Sequence, residues 1–300
     1  MSEWFEIKER GSSALMNFMI GLCQRRHRWL VNFLLYPITA YFFITSHTAR
    51  RASAHFFIRT NGKAYLSDYF RQLLCFSRVL IDRVTILQGD SEHFKIRSSG
   101  HKILMKTKDN GQGIIMLGSH LGSFEACKLF AKDRMDIDIH PVAYLGGSAK
   151  TRQALDAINP NIKHNFIDPT EPDSIYQMRD VIDRGGILAI LSDRSGIGER
   201  TALVNFLGES TYFPTGAYYL ASILDCPVYC FFGMRVDNYL YDIYAIKLAE
   251  NIKLDRGKRG EQAKAYAQQY ANLLAEKAKK YPYNWFNFYE FWRSEDSKTV

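Results

Sequence analysis

Two short, uncharged apolar runs constrain the fold of this chain more than any other feature. Ile114–Gly118 reads IIMLG and Ile187–Leu191 reads ILAIL. Each run is short for a helix and has no polar face, which is typical of strands that are buried on both faces of a parallel sheet. From about residue 101, segments with helical patterns alternate with such runs. The sequence therefore predicts an α/β fold with a mainly parallel central sheet flanked by helices.

The length of 300 residues suits one large α/β domain with a helical appendage. We predict a helical, membrane-associated region over residues 1–80 and an α/β domain over residues 81–300. One predicted helix stops at Gly185 and Gly186, since glycine commonly ends helices. The predicted helices cover residues 121–132, 149–158, 172–184, 215–224 and 260–280, and further strands cover residues 137–144, 162–167, 228–234 and 241–248.

An uncharged stretch of 18 residues, 29–46, dominates the N-terminal region. Its length is marginal for crossing a bilayer, which needs about 20 apolar residues. It could form a buried helix kinked at Pro37, a single span, or a segment that lies in the membrane interface. Arginines on both sides are interleaved with aromatic residues, and this combination suits the lipid headgroup region. We therefore predict peripheral or monotopic attachment to a membrane surface.

The formal net charge of +8 is compatible with nucleic acid, an anionic membrane surface, or an acidic carrier or phosphorylated substrate. The first sixty residues hold eight Lys and Arg against three Glu, beside the apolar stretch. No nucleic-acid-binding sequence pattern is present, so nucleic acid is the least expected partner. The five scattered cysteines lack a C-x-x-C pair, which is typical of a reduced protein, and we expect no metal or cofactor.

A histidine and a glutamate follow the strand Ile114–Gly118 in an H-x4-E arrangement, Ser-His-Leu-Gly-Ser-Phe-Glu. On one regular helix, side chains five residues apart point about 140° apart. His120 and Glu125 can therefore touch only if His120 precedes the helix. Glu125 would then bind one imidazole nitrogen and leave the other as a general base. In the alternative, Gly122 caps the helix, Glu125 is an acid of its first turn, and His120 is an ordinary loop residue.

A second polar group follows Ile187–Leu191, and ligands of such sheets bind beyond the carboxyl ends of the strands. Arg194 is suited to hold a phosphate or polarise a carbonyl oxygen, and Asp193 to position it or a substrate hydroxyl. The alternative is a surface ion pair in a loop. The residues predicted to bind substrate are Ser119, Arg152, Asp193, Arg194 and, more weakly, Arg200.

Residues 206–216 are predicted to form an apolar loop that closes over the site and ends at Thr215 as a helix N-cap. In order, the motifs are SHLGSFE, SDRSG, FLGESTYFPTG and the late aromatic segment YPYNWFNF. This ordered set resembles the lipid A biosynthesis (late) acyltransferase family of the lysophospholipid acyltransferase superfamily, over most of the chain. Ser119 stands where those enzymes often carry Asn, and the second acid of their D-x-D element is missing after Asp193. The aromatic ending is similar to that of the branch associated with aryl-polyene or pigment-lipid biosynthesis.

The resemblance implies an enzyme that transfers a fatty acyl group, without metal or cofactor, on the cytoplasmic side of a bacterial inner membrane. The donor would be a thioester of acyl carrier protein or coenzyme A, and the acceptor a hydroxyl of a lipid or glycolipid. His120, oriented by Glu125, would remove the hydroxyl proton, and the thiolate would leave readily because thiol pKa values are about 8–9. No G-x-S-x-G elbow is present, which counts against a serine nucleophile.

Backbone N–H groups at the start of the helix after His120 are candidates for stabilising the oxyanion. The rival interpretation is a non-catalytic membrane or acyl-carrier-protein binding module on an acyltransferase-like fold.

Overall fold

The structure is a computed structural model that describes residues 20–22, 28–135, 139–143, 166–195 and 199–292. The helices are α1 (Arg28–Thr45), α2 (His47–Asn61), α3 (Leu66–Leu87), α4 (His101–Asp109), α5 (Phe124–Met135), α6 (Ser174–Asp183), α7 (Gly216–Leu224) and α8 (Arg259–Lys280). The strands are β1 (Lys95–Ser99), β2 (Ile114–Gly118), β3 (Ile139–Val142), β4 (Ile187–Leu191), β5 (Thr201–Phe206), β6 (Glu209–Pro214), β7 (Val228–Asp237) and β8 (Leu240–Ala249). A 3-10 turn, Pro282–Asn284, follows α8.

Within the described residues, six strands form the central sheet, in the order β1-β8-β7-β2-β4-β3. Neighbouring strands run parallel except for β7 and β8, which pair antiparallel. All five residues of β2, in the middle of the sheet, are buried. This arrangement confirms the predicted α/β class with a mainly parallel sheet flanked by helices.

The prediction for residues 206–216 is wrong, because most of this segment belongs to a β-hairpin. Strands β5 and β6 pair antiparallel across a turn at Leu207 and Gly208, where φ is 55° and 90°. Positive φ at both central residues is typical of a tight hairpin turn. Along both strands, buried residues tend to alternate with more exposed ones, which is the period of a strand. Thr215 does occupy the predicted N-cap position of α7, but its hydroxyl donates to the carbonyl oxygen of Arg200 (3.1 Å) and accepts no hydrogen bond from the helix.

Two predicted elements lie wholly or mostly outside the described residues. The predicted helix over residues 149–158, with Arg152, is not among them. Of the predicted strand over residues 162–167, only the last two residues are described, and Ile167 forms a parallel bridge with Val142.

Helices α1, α2 and α3 form the N-terminal region from residue 28 onward. Val31 and Leu35 of α1 pack against Leu74 of α3. Several large apolar side chains of α1 are exposed instead: Trp29, Phe33, Tyr36, Tyr41 and Ile44. Within the described ranges, no single helix has the length and apolar character needed to cross a membrane; only α1 and α2 taken together, bent by 90°, meet that test.

The second helix shares the main core with the α/β body. Phe56 stacks on Trp285 with ring centroids 5.2 Å apart, and both side chains are fully buried. They belong to the same core cluster as Ile115 and Leu117 of the central strand β2. Helix α3 runs through residue 80, and the division into two regions at that residue stays a prediction.

Candidate active site

The register of two neighbouring strands brings His120 and Asp193 together. Strands β2 and β4 are parallel, and their last residues, Gly118 and Leu191, pair with each other. His120 and Asp193 each lie two residues beyond these ends. The backbone holds the exit of both strands together, since Ser192 donates its N–H to the Gly118 carbonyl oxygen at 3.0 Å. Residues 73 positions apart in the chain therefore meet at the carboxyl edge of the sheet.

Asp193 holds His120 through two hydrogen bonds. The His120 backbone N–H donates to Oδ2 of Asp193 (2.9 Å), and Nδ1 of the imidazole lies 2.9 Å from Oδ1. The Asp193 side chain is fully buried, whereas that of His120 is 29% exposed. The carboxylate thus fixes both the loop and the ring, while the imidazole retains a route to solvent.

The structure gives His120 a different partner from the one predicted. Glu125 lies in the first turn of α5, and its Oε1 is 2.7 Å from Nε of Arg83 on α3. Asp193, and not Glu125, accepts the hydrogen bond of the His120 imidazole. The physical reason is the sheet: β4 delivers an acid to the same edge, whereas the first turn of α5 brings Glu125 to α3.

The loop between β2 and α5 packs closely against β7. Gly122 has φ +84°, and a Cβ there would lie 2.2 Å from the Gly233 carbonyl oxygen. Ser123 donates its N–H to that same oxygen (2.7 Å), and its hydroxyl oxygen accepts from the N–H of Ala126 (3.2 Å). Ser123, rather than Gly122, therefore supplies the side-chain cap of α5. The Gly122 N–H donates to the Asn284 carbonyl oxygen (2.9 Å), so the first amides of this loop already have acceptors.

The aromatic segment after α8 supports the His120–Asp193 pair from the other side. Phe286 donates its N–H to the His120 carbonyl oxygen (2.9 Å). Asn287, almost fully buried, donates from Nδ2 to Oδ2 of Asp193 (3.0 Å) and accepts from Nε of Arg194 at Oδ1 (2.5 Å). Because the guanidinium can only donate, it fixes the orientation of the Asn287 amide. A chain of hydrogen bonds thus runs from Arg194 through Asn287 and Asp193 to His120.

The protonation states follow from burial and from these contacts. Burial lowers the pKa of His120 from its usual 6.5, with Asp193 opposing this effect and Arg194 adding to it. Burial would raise the pKa of Asp193, but His120, Arg194 and Asn287 together lower it to about 2. Asp193 is therefore ionised and His120 neutral at pH 7. Since a carboxylate only accepts, Nδ1 carries the imidazole proton and Nε2 is left as a base.

A small apolar pocket, partly open to solvent, adjoins this loop. Ser119, whose hydroxyl oxygen accepts from the Leu121 N–H (3.3 Å), lies at its wall. The pocket lies between the end of β2, the start of α5 and β7. Its apolar lining residues are Met116, Leu121, Phe124, Cys127 and Phe231.

The other predicted substrate-binding residues are placed differently. Arg194 binds Asn287 and the Phe286 carbonyl oxygen (3.2 Å), and its guanidinium carbon lies 5.2 Å from the Tyr289 ring centroid. Arg200, just before β5, is exposed, and its guanidinium carbon lies 5.0 Å from the ring centroid of Tyr219. Arg152 lies outside the described residues.

Sequence reasoning did not identify two residues of the site. Asn287 lies within the late aromatic segment, where the sequence indicates a family resemblance but no role for this residue. Tyr270 of α8 donates its hydroxyl to the Gly118 carbonyl oxygen (2.6 Å), and burial holds its pKa well above the usual value, so it remains a donor. Only the polarity of Asn287 among large apolar neighbours could have marked it.

Fold and site together define a class of protein: an α/β protein with an imidazole–carboxylate pair beyond the carboxyl ends of two central parallel strands. Residues 73–294 match the family described as bacterial lipid A biosynthesis acyltransferase. The match covers more than half of the chain, and the protein belongs to this family. Membership confirms the resemblance to the lipid A biosynthesis acyltransferase family and supports an acyltransferase that acts on a lipid acceptor, whereas the similarity to the pigment-lipid branch stays a prediction. A comparison with curated proteins gave no match.

Proposed function

We propose that the protein transfers a fatty acyl group from a thioester donor to a hydroxyl of a lipid or glycolipid, with His120 as the general base. The hydrogen bond between His120 and the buried Asp193 is the observation that carries this proposal. It leaves Nε2 of a neutral imidazole unprotonated at the carboxyl edge of the sheet. General base catalysis of this kind contributes about 10²–10⁴ to a rate.

The reaction is a direct transfer. Nε2 of His120 accepts the proton of the acceptor hydroxyl while the oxygen of that hydroxyl attacks the thioester carbonyl carbon. The carbon–sulfur bond then breaks and the thiolate leaves with the electron pair, taking up a proton from solvent or from the imidazolium. Asp193 stabilises the imidazolium that forms in the first step. Acyl carrier protein and coenzyme A both present such a thioester, and the geometry favours neither.

Asn287 and Arg194 are positioning residues in this mechanism. Arg194 orients the Asn287 amide, and Asn287 holds the Asp193 carboxylate in the plane from which it binds His120. Ser119 lies beside the apolar pocket, which is suited to the start of the acyl chain. Glu125 was predicted to orient His120; we propose that it acts through Arg83 by holding the start of α5 against α3.

We also propose that the exposed apolar side chains of α1 attach the protein to a membrane, peripherally or monotopically, on the cytoplasmic side of a bacterial inner membrane. Trp29 is 73% and Phe33 66% exposed. Such side chains, with arginines nearby, suit the headgroup boundary of a bilayer. Attachment there would bring the site to its lipid acceptor.

The test is acyl transfer by purified His120→Ala protein. The full-length chain in mixed micelles receives an acyl thioester, as acyl carrier protein or coenzyme A conjugate, and a hydroxyl-bearing glycolipid. Release of thiol that depends on the acceptor should fall by about 10²–10⁴ in His120→Ala. The control, His93→Ala, removes a half-exposed histidine from the loop before β1 and should keep wild-type turnover.

Near-wild-type turnover in His120→Ala would refute the role of His120. If the wild-type protein binds the lipid and the carrier but consumes no thioester with any hydroxyl acceptor, the rival function, a non-catalytic binding module, replaces this one.

A further inference from the structure

A second pocket, which is partly open to solvent and shares no lining residue with the one beside His120, lies between the N-terminal helices and the sheet. Asn32 of α1, Arg78 and Asp82 of α3, Arg235 of β7 and Asn238 of the β7–β8 turn line it. The acyl-transfer chemistry described above uses none of these residues.

The charged groups of this pocket leave an excess of positive charge. Its charged lining residues are two arginines and one aspartate. Oδ2 of Asp82 already accepts from Nε of Arg235 (2.9 Å) and from the Tyr241 hydroxyl (2.6 Å). The Asp82 carboxylate is therefore compensated by Arg235, while Arg78 donates to a neutral group, the Tyr36 hydroxyl (3.2 Å).

Hydrogen bonds between buried residues hold Arg235 in place beside the pocket. Arg235 is only 9% exposed, and both its backbone N–H and its carbonyl oxygen bind the side-chain amide of Asn284, at 2.8 and 3.0 Å. Burial raises the pKa of Asp82, and Arg235 and Arg78 both oppose that rise, which indicates that both guanidinium groups lie near the same carboxylate. A guanidinium with several N–H donors in one plane is the group best suited to bind phosphate oxygens.

We propose that this pocket binds a phosphate group through Arg78 and Arg235, with the amides of Asn32 and Asn238 as neutral donors at its wall. A phosphate fits because it brings the negative charge that the pocket lacks and accepts several hydrogen bonds at once. The same chemistry is found in the headgroup of an anionic lipid and in a soluble phosphate compound. Tyr36 of α1, which accepts a hydrogen bond from Arg78, and Phe33 on the same helix are exposed, and they offer an apolar surface for the chains of a lipid.

The test is titration of the full-length protein, in a neutral detergent, with two probes by isothermal calorimetry. One probe is inorganic phosphate, and the other is a short-chain phosphatidylglycerol. The test variant Arg78→Gln removes one guanidinium and leaves the buried Asp82–Arg235 pair intact. The matched control is Arg71→Gln on the same helix, because Arg71 also donates to a tyrosine hydroxyl at 3.2 Å and lies 5.8 Å from that ring, against 5.9 Å for Arg78.

Arg78→Gln should weaken probe binding by about tenfold or more, since hydrogen bonds to charged groups are the strong ones. Arg71→Gln should change it by less than about twofold. Asn32→Asp, at an exposed position of α1, adds a negative charge to the pocket wall and should weaken binding as well. Thermal unfolding of each variant checks that the fold is kept.

The two probes distinguish the sources of the phosphate. Binding of inorganic phosphate that depends on Arg78 indicates that the phosphate group alone suffices, whereas binding of the phosphatidylglycerol only indicates a lipid headgroup site; either result supports the proposal. Equal weakening in Arg78→Gln and Arg71→Gln would show mere attraction by surface charge and overturn it. So would the lack of binding of both probes to the wild-type protein.

Discussion

The substitution Asp193→Asn tests the central hydrogen bond of the proposed site. Oδ2 of Asp193 accepts from two groups that can only donate there, the His120 backbone N–H and Nδ2 of Asn287. Oδ1 accepts from Nδ1 of His120. An asparagine must put its NH₂ group in place of one of these oxygens. In the Oδ2 position the NH₂ group would face two donors and two hydrogen bonds would be lost, so it should take the Oδ1 position.

An NH₂ group in the Oδ1 position donates to Nδ1 and moves the imidazole proton to Nε2. The base is then lost, because Nε2 is the atom that must accept the proton of the acceptor hydroxyl. We therefore expect kcat to fall by about 10²–10⁴, the whole contribution of a general base. This range corresponds to about 2.7–5.4 kcal/mol in activation free energy, at 1.36 kcal/mol for each factor of ten.

The assay is the rate of thiol release from an acyl thioester with a glycolipid acceptor, measured from pH 5 to 8. Glu125→Gln is the matched control, because it also converts a largely buried carboxylate near the site into an amide. It breaks the ion pair with Arg83 but leaves the His120–Asp193 contacts in place. Any loss of turnover in Glu125→Gln should therefore come without a change in the midpoint of the acidic limb of kcat/KM.

The opposite pattern would refute this reasoning. If Asp193→Asn keeps most of the wild-type turnover, and Glu125→Gln shifts the acidic limb, then Glu125 orients the imidazole during catalysis, as the H-x4-E spacing alone predicts.

Three further predictions follow from the geometry. Burial lowers the pKa of His120, so the neutral base persists below pH 6.5 and kcat/KM should lose half its value only below that pH; a midpoint above 7 would contradict this. Gly122→Ala should lower the free energy of unfolding more than Gly208→Ala, by at least about 1 kcal/mol in denaturant titrations, because both glycines have positive φ but only Gly122 meets backbone. Phe33→Glu should reduce sedimentation with anionic liposomes severalfold, whereas Tyr176→Glu, which changes an exposed aromatic residue on α6, should not; equal losses would count against attachment through α1.

The sheet could be predicted from the sequence only in part: its apolar central strands were predicted, whereas the edge strand β1, with the polar sequence KIRSS, was not. Strands β2 and β4 begin and end at the predicted residues, since an uncharged apolar run has a sharp edge where polar residues resume. The hairpin of β5 and β6 was missed because its apolar residues suggested a loop over the site, although their alternation has the period of a strand.

The partner of His120 could not be predicted from spacing within one motif. Glu125 is five residues away and was the obvious acid, whereas Asp193 becomes adjacent only through the pairing of β2 with β4. Both strands had been predicted, but strand order and register are not encoded in either run alone. Asn287 lies still farther along the chain and has no local pattern that marks its contact with Asp193.

The support of the His120 loop by the aromatic segment has a consequence for synthesis of the protein. The loop is complete only when Phe286 and Asn287 reach it, and Asn287 follows His120 by 167 positions, the difference between 287 and 120. At roughly 5–20 residues per second, a ribosome needs on the order of 10–30 seconds to add them. Once Asp193 has been added, the nascent chain carries both His120 and Asp193 but not the amide that sets their geometry, so the site can form only after residue 287 has been synthesised.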